Sequence, residues 1–146
     1  MRRAGPADVA AVRELTRAAY ARWVPVIGRE PLPMQVDYAR AVVDHRIDLL
    51  EEGGLVAVIE MIPRQDHLWI ENVAVHPSQQ GRGLGSRLLA HAEAVAREMG
   101  LGEIRLLTNE AFAANLGFYR SLGFVETARE PFRGGFTIYF SRLLNL

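Results

Sequence analysis

A short apolar strand that breaks into a glycine loop and re-forms at once as a helix is the most constraining stretch of this chain. It runs Val73-Ala74-Val75-His76-Pro77-Ser78-Gln79-Gln80-Gly81-Arg82-Gly83-Leu84-Gly85-Ser86-Arg87-Leu88-Leu89. Glycines let a backbone turn sharply and approach a ligand without Cβ clashes. A helix start offers unpaired N–H groups and about half a unit of positive charge. Strand, loop and helix together therefore predict a seat for phosphate or pyrophosphate. They also predict a right-handed crossover to the next strand, with the loop at the carboxyl edge where open α/β sheets bind ligands.

The rest of the sequence fits one α/β domain spanning residues 1–146. Asp8 precedes Val9, Val12, Leu15, Ala19 and Trp23 at helical spacing, and this helix is expected to end before Pro25. Residues 25–33 hold three prolines and Gly28 and read as a shaped loop. A second helix is expected from about Met34 to His45, then a short strand from Ile47 to Leu50 and a turn at Glu51-Glu52-Gly53-Gly54. Leu55–Ile62 and Leu68–Val75 read as paired strands joined through residues 63–67. After the glycine loop, Leu84, Leu88, Ala92, Val95, Ala96 and Met99 share one helical face, ended by Gly100 and Gly102. A strand at 103–108, a helix at 112–122 and a strand pair at 124–129 and 136–143 complete the expectation.

Composition removes several chemistries. There is no cysteine, hence no thiolate nucleophile or Cys-based metal site. All 17 basic residues are arginine, so neither Schiff-base catalysis nor the lysine of an ATP-binding P-loop is available. His45, His67, His76 and His91 have no metal-ligand spacing, and no metal is expected. The charge balance, 17 basic against 17 acidic residues, gives no reason to expect nucleic acid as a partner. No apolar run approaches the roughly 20 residues of a membrane span, and Met1-Arg2-Arg3 does not open a signal peptide. A cytoplasmic location is the expectation. A dinucleotide fold wants Gly-x-Gly-x-x-Gly tight against its first strand; here the third glycine is one residue early and the unit lies mid-chain.

The pattern Gln80-Gly81-Arg82-Gly83-Leu84-Gly85 after Val-Ala-Val-His-Pro resembles the acyl-CoA signature of the GNAT superfamily of N-acyltransferases. Asn115-Leu116-Gly117-Phe118-Tyr119-Arg120-Ser121-Leu122-Gly123-Phe124 resembles that family's next motif, and Arg3–Asp8 is similar to the lead-in to its first helix. The resemblance implies a GNAT-like α/β (α+β) domain. Its centre would be a mixed, twisted sheet of six to seven strands with helices on both faces and a splayed parallel pair at the CoA cleft. Only Met1–Arg3 remain for the usual first strand.

The same resemblance implies roles. Acetyl-CoA would be the co-substrate, its pantetheine arm along Val73, Ala74 and Val75 and its pyrophosphate on the N–H groups of Gln80, Gly81, Arg82, Gly83, Leu84, Gly85 and Ser86. Arg82 and Arg87 flank that seat, or are merely solvated charges. Tyr119 would supply a proton or strong donor to the departing thiolate, whose thiol has a pKa of about 8.5; otherwise it is a core tyrosine. Asn115, one turn earlier, would bond the pantetheine or cap the turn. The acceptor amine must lose a proton, and Glu71 is the candidate base if Val73 and Val75 share its face; Glu110 is second. A backbone N–H near Val73 would meet the oxyanion. The acceptor wall is expected from Tyr20, Trp23, Glu30, Met34 and Asp37, with ordinary packing as the alternative for Trp23. His91 reads as a satisfied core histidine and His76 as a turn residue.

The expected reaction is direct transfer of an acetyl group to the primary amine of a small molecule or peptide. The alternative is a non-catalytic CoA-binding sensor or interaction module on the same fold. The family often dimerises, which leaves a homodimer open.

Overall fold

The computed structural model describes residues 1–145. The chain opens with strand β1 (Arg2–Arg3), helices α1 (Val9–Tyr20), α2 (Val24–Ile27) and α3 (Tyr38–Asp44), then strands β2 (Arg46–Glu51), β3 (Leu55–Pro63) and β4 (Leu68–Val75). Helix α4 (Leu84–Glu98), β5 (Glu103–Asn109), α5 (Ala113–Ser121), β6 (Val125–Phe132) and β7 (Gly135–Leu143) follow. Among the described residues seven strands form one sheet in the order β1-β2-β3-β4-β5-β7-β6. Of these, only β4 and β5 run parallel, joined through α4 as a crossover; every other neighbouring pair is antiparallel. Among the described residues no helix is long and apolar enough to cross a membrane.

The centre of the sheet is covered on both faces, as the nearly continuous apolar run of β3 requires. Val12, Leu15 and Ala19 of α1, with Tyr38 and Ala41 of α3, pack on Ile47, Leu49, Val58 and Ala74. On the other face Leu84, Leu88, Leu89, Ala92, Val95 and Ala96 of α4 meet Ala57, Ile59, Met61, Leu68, Ile70, Ile104 and Leu106. The β6–β7 hairpin turns on Arg133 and Gly134, both at positive φ (47° and 81°). Two such residues give the tight turn whose twist suits flanking strands.

The chain departs from the sequence expectation in three places. Helix α1 stops at Tyr20, but a 3-10 turn (Ala21–Trp23) and α2 carry the chain on past Pro25, which sits in the first turn of α2 where its missing N–H costs nothing. The expected helix from Met34 is split. Leu32–Gln35 is a 3-10 turn, Val36 is extended, and α3 begins only after Asp37, whose side chain accepts from the N–H groups of Ala39 and Arg40. Finally, β6 extends to Phe132 rather than Arg129, because every residue from Ala128 to Phe132 finds a partner in β7.

Candidate functional site

The loop after β4 is set by local chemistry. His76 caps the turn Pro77–Gln79, its Nδ1 accepting from Ser78 N–H at 3.1 Å. Gly83, at φ 77°, then delivers the chain into α4 with no side-chain cap. The first bond of that helix is Arg87 N–H to Gly83 O, 3.1 Å, so the N–H groups of Leu84, Gly85 and Ser86 have no helical acceptor. Gly85 brings the helix backbone against α5: a Cβ there would stand 3.1 Å from Phe118 Cζ.

Strands β4 and β5 pair only at Leu68–Ile104, Trp69–Arg105 and Ile70–Leu106. Beyond Ile70 they separate. The opening is a cleft of about 480 Å³, lined by Val73, Ala74 and Val75, the glycine loop, the first turn of α4, and Asn115, Phe118 and Tyr119 of α5. An exposed strand edge and an uncapped helix start facing one cleft offer N–H donors along its length. This donor set fits a ligand with amide groups at one end and a pyrophosphate at the other, as CoA has.

A second cavity, about 190 Å³, adjoins the first; Tyr20, Asn115 and Tyr119 line both. A one-residue bulge lies in its wall. Glu60 of β3 pairs with Asn72, but Met61 pairs with Ile70, leaving Glu71 without a partner in the ladder. The bulge changes which residues share a face. Leu68 and Ile70 pack toward α4, and so do Val73 and Val75. Glu71, Asn72 and Glu60 instead open into the second cavity with Tyr20 and Tyr38. The condition attached to Glu71, a face shared with Val73 and Val75, is thus not met, and the carboxylate reaches a cavity by the opposite route.

Polar groups in this cavity are tightly organised. Asn72, 3% exposed, accepts from Tyr20 Oη at 2.9 Å, and its Nδ2 donates to Thr16 Oγ1 (3.3 Å) and Tyr38 Oη (3.4 Å). Glu60 is 1% exposed; one carboxylate oxygen lies 2.6 Å from His45 Nδ1, while Oε1 is buried without a partner. Desolvation raises the Glu60 carboxyl above its ordinary range, and His45 partly offsets this. Glu71 accepts from Trp69 Nε1 at 3.0 Å.

Tyr119 stands at the junction of the two cavities. Its ring packs among Phe118, Phe124 and Phe140, with centroids 5.3, 5.8 and 6.1 Å away. Burial pushes its hydroxyl up to about 12, and among the described residues that hydroxyl has no hydrogen-bond partner.

Other expected site residues lie elsewhere. Arg82 does not line the cleft: Glu52 holds it at 3.0 Å and Arg87 at 2.8 Å. Trp23 lines the first cleft, stacked on Phe112 at 4.5 Å, rather than the second. Glu30 pairs with Arg17 (2.9 Å), Met34 is buried with its carbonyl accepting from Arg17, and Asp37 is spent as a helix cap. Glu110 pairs with Arg129 at 3.3 Å. None of these four lines either cavity. His91 is bound to Asp48 at 2.6 Å.

Glu60, Asn72, Arg29 and Tyr38 all line the second cavity; sequence reasoning named none of them singly, although Arg29 and Tyr38 lie in the stretch around Glu30, Met34 and Asp37 expected to wall the acceptor. For Glu60 a signal existed: a carboxylate inside Val58-Ile59-Glu60-Met61-Ile62 is a charge that burial makes expensive.

A family model described as "Acetyltransferase (GNAT) family" matches residues 10–124. An L-methionine sulfoximine/L-methionine sulfone acetyltransferase of Salmonella typhimurium is 37% identical over 75 residues, 51% of this chain and 42% of that protein. The L-amino acid N-acyltransferase MnaT of Escherichia coli is 38% identical over 65 residues, 44% of this chain and 38% of that protein. The chain thus spans less than half the length of these curated relatives. The PaiA N-acetyltransferase from Thermoplasma acidophilum, solved in complex with coenzyme A, superposes with a TM-score of 0.80 at 18% identity, covering 94% of this chain and 95% of that one. At that identity the likeness establishes the fold. With the family match covering most of the chain, the splayed strands and the glycine-loop helix start have one common explanation: this chain belongs to the acetyltransferase (GNAT) family.

Proposed function

We propose that this protein transfers an acetyl group from acetyl-CoA to a primary amine. The observation that carries this reading is the meeting of two unlike cavities at Tyr119. One offers backbone donors and a helix start, and the other offers two carboxylates. Acetyl-CoA would lie along Val73–Val75 with its pyrophosphate at residues 80–86, and the amine would enter beside Glu60 and Glu71.

The amine must be neutral to attack. For a lysine-like amine that costs about 4–5 kcal/mol at pH 7, and for an α-amino group about 1 kcal/mol. Glu71 takes the proton, while Glu60 holds the ammonium group in place before transfer. The nitrogen then attacks the thioester carbonyl, and the N–H near Val73 meets the developing oxyanion. As the carbon–sulfur bond breaks, the Tyr119 hydroxyl donates to the leaving sulfur. With no cysteine in the chain, the acyl group passes directly between the two substrates.

The test is release of free CoA from acetyl-CoA across a panel of small amines and peptides. Turnover that depends on an amine supports the reading. Tight CoA binding without turnover across the panel would instead favour a CoA-binding module.

A further inference from the structure

The second cavity carries a cation that amine chemistry alone does not need. Arg29 lines it, and its Nε is buried without a hydrogen-bond partner. The guanidinium lies over Phe132, 5.7 Å from the ring centroid, and among the described residues no carboxylate pairs with it. The obvious partner is its sequence neighbour, Glu30, but Arg17 of α1 takes that carboxylate. Gly28, in the left-handed region at φ 73° with its N–H bonded to Val24 O, closes α2 and turns the chain just before Arg29. A buried, unsatisfied guanidinium N–H is expensive to leave so in a folded protein. Its planar fork suits a carboxylate, which can accept two parallel bonds.

The rest of the cavity carries the opposite charge. Glu60 has a buried, unpartnered Oε1, and Glu71 opens into the same space. The volume, about 190 Å³, lies below the roughly 300–1,000 Å³ of pockets for drug-sized ligands. Ile27, Leu32, Pro33 and Phe112 supply apolar wall. A simple alkylamine would satisfy the carboxylates and leave Arg29 unpaired. A large polycation would leave Arg29 unpaired as well, and would overfill the space.

We infer that the acceptor is a small amine that also carries a carboxylate, an amino-acid-like zwitterion with an apolar side chain, bound with its carboxylate on Arg29 and its ammonium group at Glu60. This rests on the second cavity being the acceptor site. It adds Arg29 as the residue that selects for the anion.

The experiment compares the apolar L-amino acids with their α-amides and decarboxylated amines. Two readouts are taken on the wild type, Arg29→Gln and Arg29→Lys: kcat/KM for CoA release, and equilibrium binding of each compound to the CoA-bound protein by calorimetry. Melting temperature and CoA affinity check that each variant is folded. The expected result is at least a tenfold preference of the wild type for at least one acid over its amide and amine. That preference should be lost in Arg29→Gln, mostly through KM, and partly restored in Arg29→Lys. Turnover that favours the amides or amines throughout, or a preference for the acid that survives in Arg29→Gln, would overturn the inference while leaving amine acetylation standing. If no compound turns over, amine acetylation fails, and binding decides the anion site. Acids that bind at least tenfold tighter than their amides, and lose this in Arg29→Gln, support it; equal binding refutes it.

Discussion

Replacing Tyr119 by phenylalanine isolates one oxygen atom. The ring contacts with Phe118, Phe124 and Phe140 remain, and the hydroxyl has no protein partner to lose. The fold should therefore hardly notice: a change in stability within about 0.5 kcal/mol is expected. The kinetic effect follows from the environment of the hydroxyl. At about 12 it is a weaker acid than a free thiol of pKa about 8.5, so full proton transfer to a solvated thiolate would be uphill by about 5 kcal/mol. Its contribution is then chiefly a hydrogen bond to charge growing on sulfur, worth about 1.5–3 kcal/mol. That corresponds to a drop of about 10- to 150-fold in kcat. Released CoA can be followed with a thiol reagent, without background from the protein, which has no cysteine. CoA affinity, measured separately, should be unchanged. A kcat within twofold of the wild type would refute the assigned role. So would a loss of CoA affinity that matches the loss of rate. The same burial predicts that Tyr119 produces no falling alkaline limb in the pH profile below about pH 10.5.

Glu60 and Asp8 should respond to pH in opposite senses. Burial raises Glu60, so its ionised form penalises folding: stability gains as pH falls through its folded pKa, and the acid limb of kcat/KM lies above the ordinary glutamate range. Glu60→Gln should remove both effects, read by melting temperature and rate against pH. Asp8, bonded to the Arg2 guanidinium and the Gly5 N–H, is held down at about 2 from an ordinary 3.8. Its contribution is present above pH 3.8 and is lost as pH falls toward 2, so Asp8→Asn should be less stable than wild type at neutral pH and converge with it near pH 2. The two loop glycines should fail differently. Gly83→Ala has open space but sits at φ 77°, and should cost about 1–2 kcal/mol in denaturant unfolding. Gly85→Ala presses on Phe118, which lines the cleft, and should weaken CoA binding several-fold with a smaller loss of stability.

The parts of the fold that were legible in the sequence are those fixed locally. The bounds of β4 follow from its apolar, β-branched composition, and the glycine loop declares the start of α4. What could not be read depends on partners distant in sequence. Nothing within Trp69-Ile70-Glu71-Asn72 says that β3 will skip one residue, yet that skip decides which cavity Glu71 enters. Arg29 and Glu30 are adjacent and look like a self-satisfied pair; only the packing of α1 brings Arg17 in to separate them. Glu60 stands out in its apolar strand as a charge, but nothing local says that a cavity rather than an ion pair in the core receives it. The turn of the Arg82 side chain to Glu52 was unreadable for a similar reason, since Glu52 lies 30 residues away.

The parting of β4 and β5 after Ile70 also has a thermodynamic side. Along the edge of β4 from Glu71 to Val75, the backbone groups that face β5 have no strand to pair with. A ligand that bonds there binds the native chain and not the unfolded one, so its concentration becomes a variable of the folding equilibrium. At a hundred times its Kd, such a ligand adds about 2.7 kcal/mol, a large share of the 5–15 kcal/mol that holds an ordinary domain together. The gap that makes room for a co-substrate would thus also tie the folded fraction of the protein to the co-substrate supply.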